Sequence, residues 1–148
     1  MSLEITINDA IKTAMREKDR VALDSLRAVK AQILLLKTEA IGAEVSAEQE
    51  IAILQRMIKQ RKDSYDQFTA QGRTDLAEVE EAQSKIIEKF LPQQLSAEEL
   101  ESEIKKIISE TGAESIKDLG KVMGVASKAL AGKSDGKSIS EMVKKLLA

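Results

Sequence analysis

The segment AGKSDGKS, Ala131 to Ser138, has the residue types and spacing of a nucleotide cradle. A small residue comes first, four residues intervene, and Gly136-Lys137-Ser138 closes the pattern. In a P-loop, glycines let backbone amides wrap the phosphates, and the lysine reaches the terminal phosphate. That chemistry needs a buried strand before the loop and a helix after it. Here Gly120 to Leu130 follow a helical pattern, and Ala131 stands where the first glycine belongs. No downstream hydrophobic strand ends in an aspartate to hold magnesium. The segment therefore reads as an interhelical loop. Gly132 is expected to be a positive-φ stop, Asp135-Gly136 a turn, and Ser138 the cap of the next helix.

Other chemistries are bounded by what the chain lacks. It has no cysteine and no histidine. Disulfides, thiolate-ligated metals, thiol nucleophiles and imidazole bases are excluded. Carboxylates, Lys, Ser or Tyr, and oxygen-ligated magnesium remain; the candidate carboxylates are Glu78, Glu80, Glu81 and Glu88, of which Glu81 and Glu88 are spaced to share a helix face. With no base partner, they are expected to solubilise a helix. No catalytic residue, cofactor or metal site is expected.

The cations are distributed unevenly. The whole chain carries a net charge of −2. Ser96 to Asp118 holds seven acids against three lysines, and Leu119 to Ala148 holds six lysines against two acids. The basic end contains Lys121, Lys128, Lys133, Lys137, Lys144 and Lys145. Such a cluster suits sequence-independent contact with nucleic-acid phosphates. A helix N-terminus at Ser138 would add free amides beside Lys137. A solvated lysine face is the alternative. Aromatic residues are only 2% of the chain, so RNA recognition would use shape and backbone rather than base stacking. A second cationic group, Arg56, Lys59, Arg61 and Lys62, lies among Asp63 and Asp66 and reads as a salt-bridged helix face.

These residues must be carried by helices. Apolar residues recur at helical spacing almost throughout. One stripe is Leu3, Ile7, Ile11 and Met15; a second, capped by Asp19, is Leu23, Leu26, Ile33 and Leu34, with Gly42 as its stop. Ser46 and Gln49 form a capping box for a third helix of about 25 residues. It carries Ile51, Leu54, Met57 or Ile58, Tyr65 and Phe68 and ends at Gly72. Asp75 and Glu78 open a fourth, with Val79, Ile86, Ile87 and Phe90, which must stop before Pro92. Ser96/Glu99, Ser115/Asp118 and Ser138/Glu141 then open three short helices, with Gly112 and Gly132 as stops. Gly120 and Gly124 sit inside a helix at a cost of about 1 kcal/mol each relative to Ala. Close helix–helix packing is the expected compensation; a surface that an RNA or partner backbone approaches is the alternative. The fold class is all-α. Residues 1–91 form a long-helix bundle and 96–148 a three-helix unit, with LPQQLS, Leu91 to Ser96, between them.

The second half resembles the YqeY-like family. The residues that carry the resemblance are Gly72-Arg73 with Asp75-Leu76, Leu91-Pro92 with Leu95, Asp118, Gly120-Lys121-Val122-Met123-Gly124, Gly132 and Asp135-Gly136. This family is similar to the C-terminal tail domain of GatB, the B subunit of the glutamine-dependent aminoacyl-tRNA amidotransferase. The resemblance implies a two-part all-α fold and an association with tRNA. It also brings a label, carbon–nitrogen ligase with glutamine as amido donor. The amidase centre and the phosphorylating cradle of that enzyme have no counterpart here, so the label does not follow from the residues. Three readings result: a tRNA-associated, non-catalytic accessory module; a helical module docking on a partner enzyme; and a ligase. The beginning MSLEITINDAIKT has no signal-peptide pattern, and the longest aliphatic run, Ile33 to Leu36, is too short for a membrane span. A cytoplasmic location with no membrane association is expected.

Overall fold

The computed structural model describes residues 2–39 and 44–148. Among the described residues the secondary structure is helical and no strand occurs. The chain divides into two compact units, Met1–Leu91 and Pro92–Ala148.

The first unit contains α1 (Leu3–Glu17), α2 (Arg20–Glu39), α3 (Ala47–Ala70) and α4 (Thr74–Glu88). Asp19 caps α2 by accepting the Ala22 N–H at 3.1 Å. Ser46 and Gln49 make the expected box at the start of α3, with the Gln49 N–H on Ser46 Oγ at 3.2 Å and the Ser46 N–H on Gln49 Oε1 at 2.9 Å. Gly42, expected to stop α2, lies outside the described residues. The core is aliphatic: Leu3, Ile7, Leu26, Val29, Ile33, Ile53, Leu54, Met57, Ile58 and Ile87 are buried together. Three residues expected in the stripes point outward instead. Met15 is 56% exposed, Leu34 45% and Val79 43%. Small residues take the inward positions near them: Ala14, Ser25, Ala77 and Ser84 are buried.

The Asp75/Glu78 box does not form. Thr74 begins α4 without a side-chain cap, because Arg73 holds the Asp75 carboxylate through two bonds of 3.2 Å. That contact also holds the Asp75 carboxyl below the usual carboxylate range.

The second unit contains α5 (Ala97–Thr111), a 3₁₀ turn (Ile116–Asp118), α6 (Leu119–Ala129) and α7 (Gly136–Leu147). Ser96 and Glu99 cap α5 reciprocally at 3.1 and 3.3 Å. Gly112 ends it at φ 69°, a left-handed conformation that costs glycine no side-chain clash. Leu100, Ile104, Ile107, Val122, Ala126, Leu130, Ile139, Val143 and Leu147 make this unit's own core.

Candidate functional site

The basic group of the second unit is built on α6 and the loop that follows it. Lys121 and Lys128 are seven residues apart on α6, so they share a face and lie about 10.5 Å apart along the helix axis. Lys133 lies in the α6–α7 loop and Lys137 in the first turn of α7. All four lysines are exposed, and among the described residues none is in an ion pair. Lys144 and Lys145 are also exposed, in the last turn of α7.

The α6–α7 loop is held from outside its own sequence. Gln94 Nε2 donates to the Gly132 carbonyl, and the Leu95 N–H donates to the Lys133 carbonyl at 2.9 Å. Gly132 has φ 78° and is buried, so a side chain there would be strained. These bonds tie down two carbonyls flanked by lysines and leave the lysine side chains in solvent.

Helix α7 begins at Gly136, and its cap is Asp135 in extended conformation, not Ser138. Asp135 makes no side-chain bond to the helix amides. The helix starts three residues early, Ile139, Val143 and Leu147 are buried at i, i+4 and i+8, and the Ser138/Glu141 box does not form. The free helix amides expected at Ser138 thus lie at Gly136–Ser138, next to the Asp135 carboxylate.

Gly120 and Gly124 also differ from expectation. A Cβ added at either would meet nothing within 4 Å. Both residues are exposed on α6, so the pair is not a close-packing device within the chain. They lie on the solvent side of the helix that carries Lys121 and Lys128. The exposed Val125, 42% accessible, is on this helix too.

Asp118 closes the capping box of the 3₁₀ turn that leads into α6 and makes no side-chain bond to the first amides of α6. Its Oδ2 accepts the Glu114 N–H at 2.9 Å and the Ser115 N–H at 3.4 Å, while Ser115 Oγ accepts the Lys117 N–H at 3.3 Å. These backbone bonds, helped by nearby Lys121, hold the Asp118 carboxyl below the usual range.

Several of the other candidate residues are internally paired. Arg56 donates to Gln32 Oε1 at 3.0 Å, and Arg61 to Gln83 Oε1 at 3.2 Å and the Met57 carbonyl at 3.3 Å. Burial pulls the Arg61 pKa down, and Glu80 opposes it. Lys62 meets Glu88 at 3.6 Å rather than Asp63 or Asp66, and Glu81 meets Lys85 at 3.4 Å. Lys59 and Glu78 are exposed. Among the described residues no group of three or more acidic side chains is placed to hold a metal ion.

The sequence is similar to several curated proteins. One, from Meyerozyma guilliermondii, is named "Altered inheritance of mitochondria protein 41, mitochondrial" and is 37% identical over 91 residues, covering 58% of this chain and 44% of the relative. A protein of the same name from Clavispora lusitaniae is 35% identical over 82 residues, covering 55% of this chain and 46% of the relative. A third, from Pyrenophora tritici-repentis, is 26% identical over 140 residues, 93% of this chain and 76% of the relative. The matched region thus spans about half the length of the first two relatives. The cytoplasmic expectation is overturned by these names, each of which reads mitochondrial. It rested on a missing signal peptide, and that pattern does not report on the mitochondrion. Among the described residues no helix is long and apolar enough to cross a membrane. The description "Yqey-like protein" matches residues 4–147, nearly the whole chain. The chain belongs to the YqeY-like family.

Proposed function

We propose that the second unit is a non-catalytic RNA-binding module that holds tRNA through its phosphate backbone. The observation that carries this reading is the lysine quartet Lys121, Lys128, Lys133 and Lys137, exposed and without ion-pair partners among the described residues. Exposed, unpaired lysines give up only loosely held counterions when they meet phosphates, and the release of counterions from the nucleic acid drives binding. Gly120 and Gly124 support the reading, since bare backbone on the face beside Lys121 lets a ligand backbone approach closely. The ligase reading has the least chemical support, since the chain has neither His as a base nor Cys as a nucleophile.

The test is the salt dependence of tRNA binding for the wild-type chain and a Lys121→Gln/Lys128→Gln/Lys133→Gln/Lys137→Gln variant. Four lost phosphate contacts should make the slope of log K against log salt shallower by about 3. Equal slopes, or no binding by the wild-type chain at low salt, would end the proposal. Ammonia release from glutamine by the isolated chain would end its non-catalytic part.

A further inference from the structure

The closed end of the α1–α2 hairpin carries a second, separate basic site. A surface cavity of about 400 Å³ opens there, lined by Lys18, Arg20 and Arg27 with Asp24, Met15 and Leu23. The volume is within the range of small-ligand sites, about 300–1,000 Å³.

The geometry of the hairpin gathers its charge. Lys18 ends α1 in the left-handed conformation, φ 58° and ψ 32°, with its N–H on the Ala14 and Met15 carbonyls. It is the non-glycine residue with positive φ among the described residues, and a side chain in that region is strained. The turn sends the chain straight into α2, where Arg20 and Arg27 stand two helical turns apart with Leu23 and Asp24 between them. Glu17 and Asp19 flank Lys18 in sequence, and Asp19, still charged, accepts the Ala22 N–H as the α2 cap. Among the described residues, Lys18, Arg20 and Arg27 make no ion pair. The lining itself holds three cations and one carboxylate, Asp24, while Arg16, Glu17 and Asp19 at the same turn bring the net charge of residues 16–27 to +1. Half-buried Leu23 and Met15, an apolar side chain 56% exposed, form an oily wall beside them.

We propose that this cavity binds a phosphomonoester carried on a compact apolar or aromatic body, the chemical class of a nucleoside monophosphate. A phosphomonoester bears about −1.5 to −2 charges at pH 7, which the three cations of the lining attract. Guanidinium groups suit its oxygens, since each presents a planar fork of donors. The Met15–Leu23 wall takes the body of the ligand. Asp24 is the internal competitor for Arg20 and Arg27 and sets the affinity from below. The site lies in the first unit and does not depend on the RNA reading of the second.

The test is isothermal calorimetry on the full chain with adenosine 5′-monophosphate, inorganic phosphate and adenosine as separate probes. The monophosphate should bind in the millimolar range or tighter, and the other two at least about tenfold more weakly, the equivalent of about 1.4 kcal/mol. Arg20→Gln/Arg27→Gln should weaken monophosphate binding by at least about tenfold, and Asp24→Asn should strengthen it several-fold. The quadruple lysine variant of the second unit should bind it as the wild type does. Undiminished binding by the double arginine variant, no gain in Asp24→Asn, equal binding of inorganic phosphate, or no binding of the monophosphate at about 10 mM would each overturn the proposal.

Discussion

Asp118 carries a carboxylate whose two backbone bonds close the capping box of the 3₁₀ turn before α6. Its pKa is depressed in the folded chain, mainly by the Glu114 and Ser115 amides. A carboxylate depressed in this way favours the folded state above its unfolded pKa, and the contribution disappears as pH falls through the folded value. Asp118→Asn should therefore be less stable than wild type at pH 7, with the gap closing below about pH 4. Urea unfolding across that range measures it, and a gap independent of pH would refute the assignment. Residues of this kind were legible because Ser-x-x-acid spacing encodes a local bond. Ser25 and Ser84 were not. Both are buried in stripes expected to be apolar; Ser25 Oγ bonds the Val21 and Ala22 carbonyls of its own helix, while Ser84 Oγ finds no protein partner among the described residues. Periodicity marks which face turns inward, but it cannot tell where neighbouring helices approach closely enough to demand a small side chain.

Among the helices, α6 departs furthest from expectation. A glycine in a helix suggests either tight packing or a functional gap, and spacing alone cannot separate the two. The open space around Gly120 and Gly124 excludes the first within this chain. Gly120→Ala/Gly124→Ala should then raise stability by about 1 kcal/mol or more in total, because alanine fits and helix propensity improves. Thermal melting would show it; an unchanged or lowered midpoint would mean that the pair is packed after all. The same variant should bind tRNA more weakly while being more stable. The caps show the same limit of local reading. Ser46, Ser96 and Ser115 form their boxes because the chain leaves them in extended conformation. Asp75 and Ser138 do not, since Arg73 captures one carboxylate and α7 has already begun at Gly136, ahead of Ser138.

At the scale of the molecule, two aliphatic cores are present, one in each compact unit. The all-α class and the helix order were readable because nearly every helix announces itself by stripe and punctuation. The charge asymmetry was readable too, but not which lysines stay unpaired, since that depends on which acids the fold brings near. Ile104 is fully buried in the second core. Ile104→Ala should cost about 2–5 kcal/mol. Hydrogen exchange should place the loss of protection in α5, α6 and α7, with α1 to α4 retained; equal loss throughout would show that the two cores unfold as one.

The bonds from Gln94 and Leu95 to the α6–α7 loop also fix how the second unit bears mechanical load. A pull on the chain at Pro92 meets those two bonds before it reaches the Ser96 cap of α5. The resisting carbonyls belong to Gly132 and Lys133, so tension in the connecting segment is delivered to the basic loop. In a force-extension experiment the first yield point of this unit should be the release of that latch, before any helix uncoils, and Gln94→Ala should lower it.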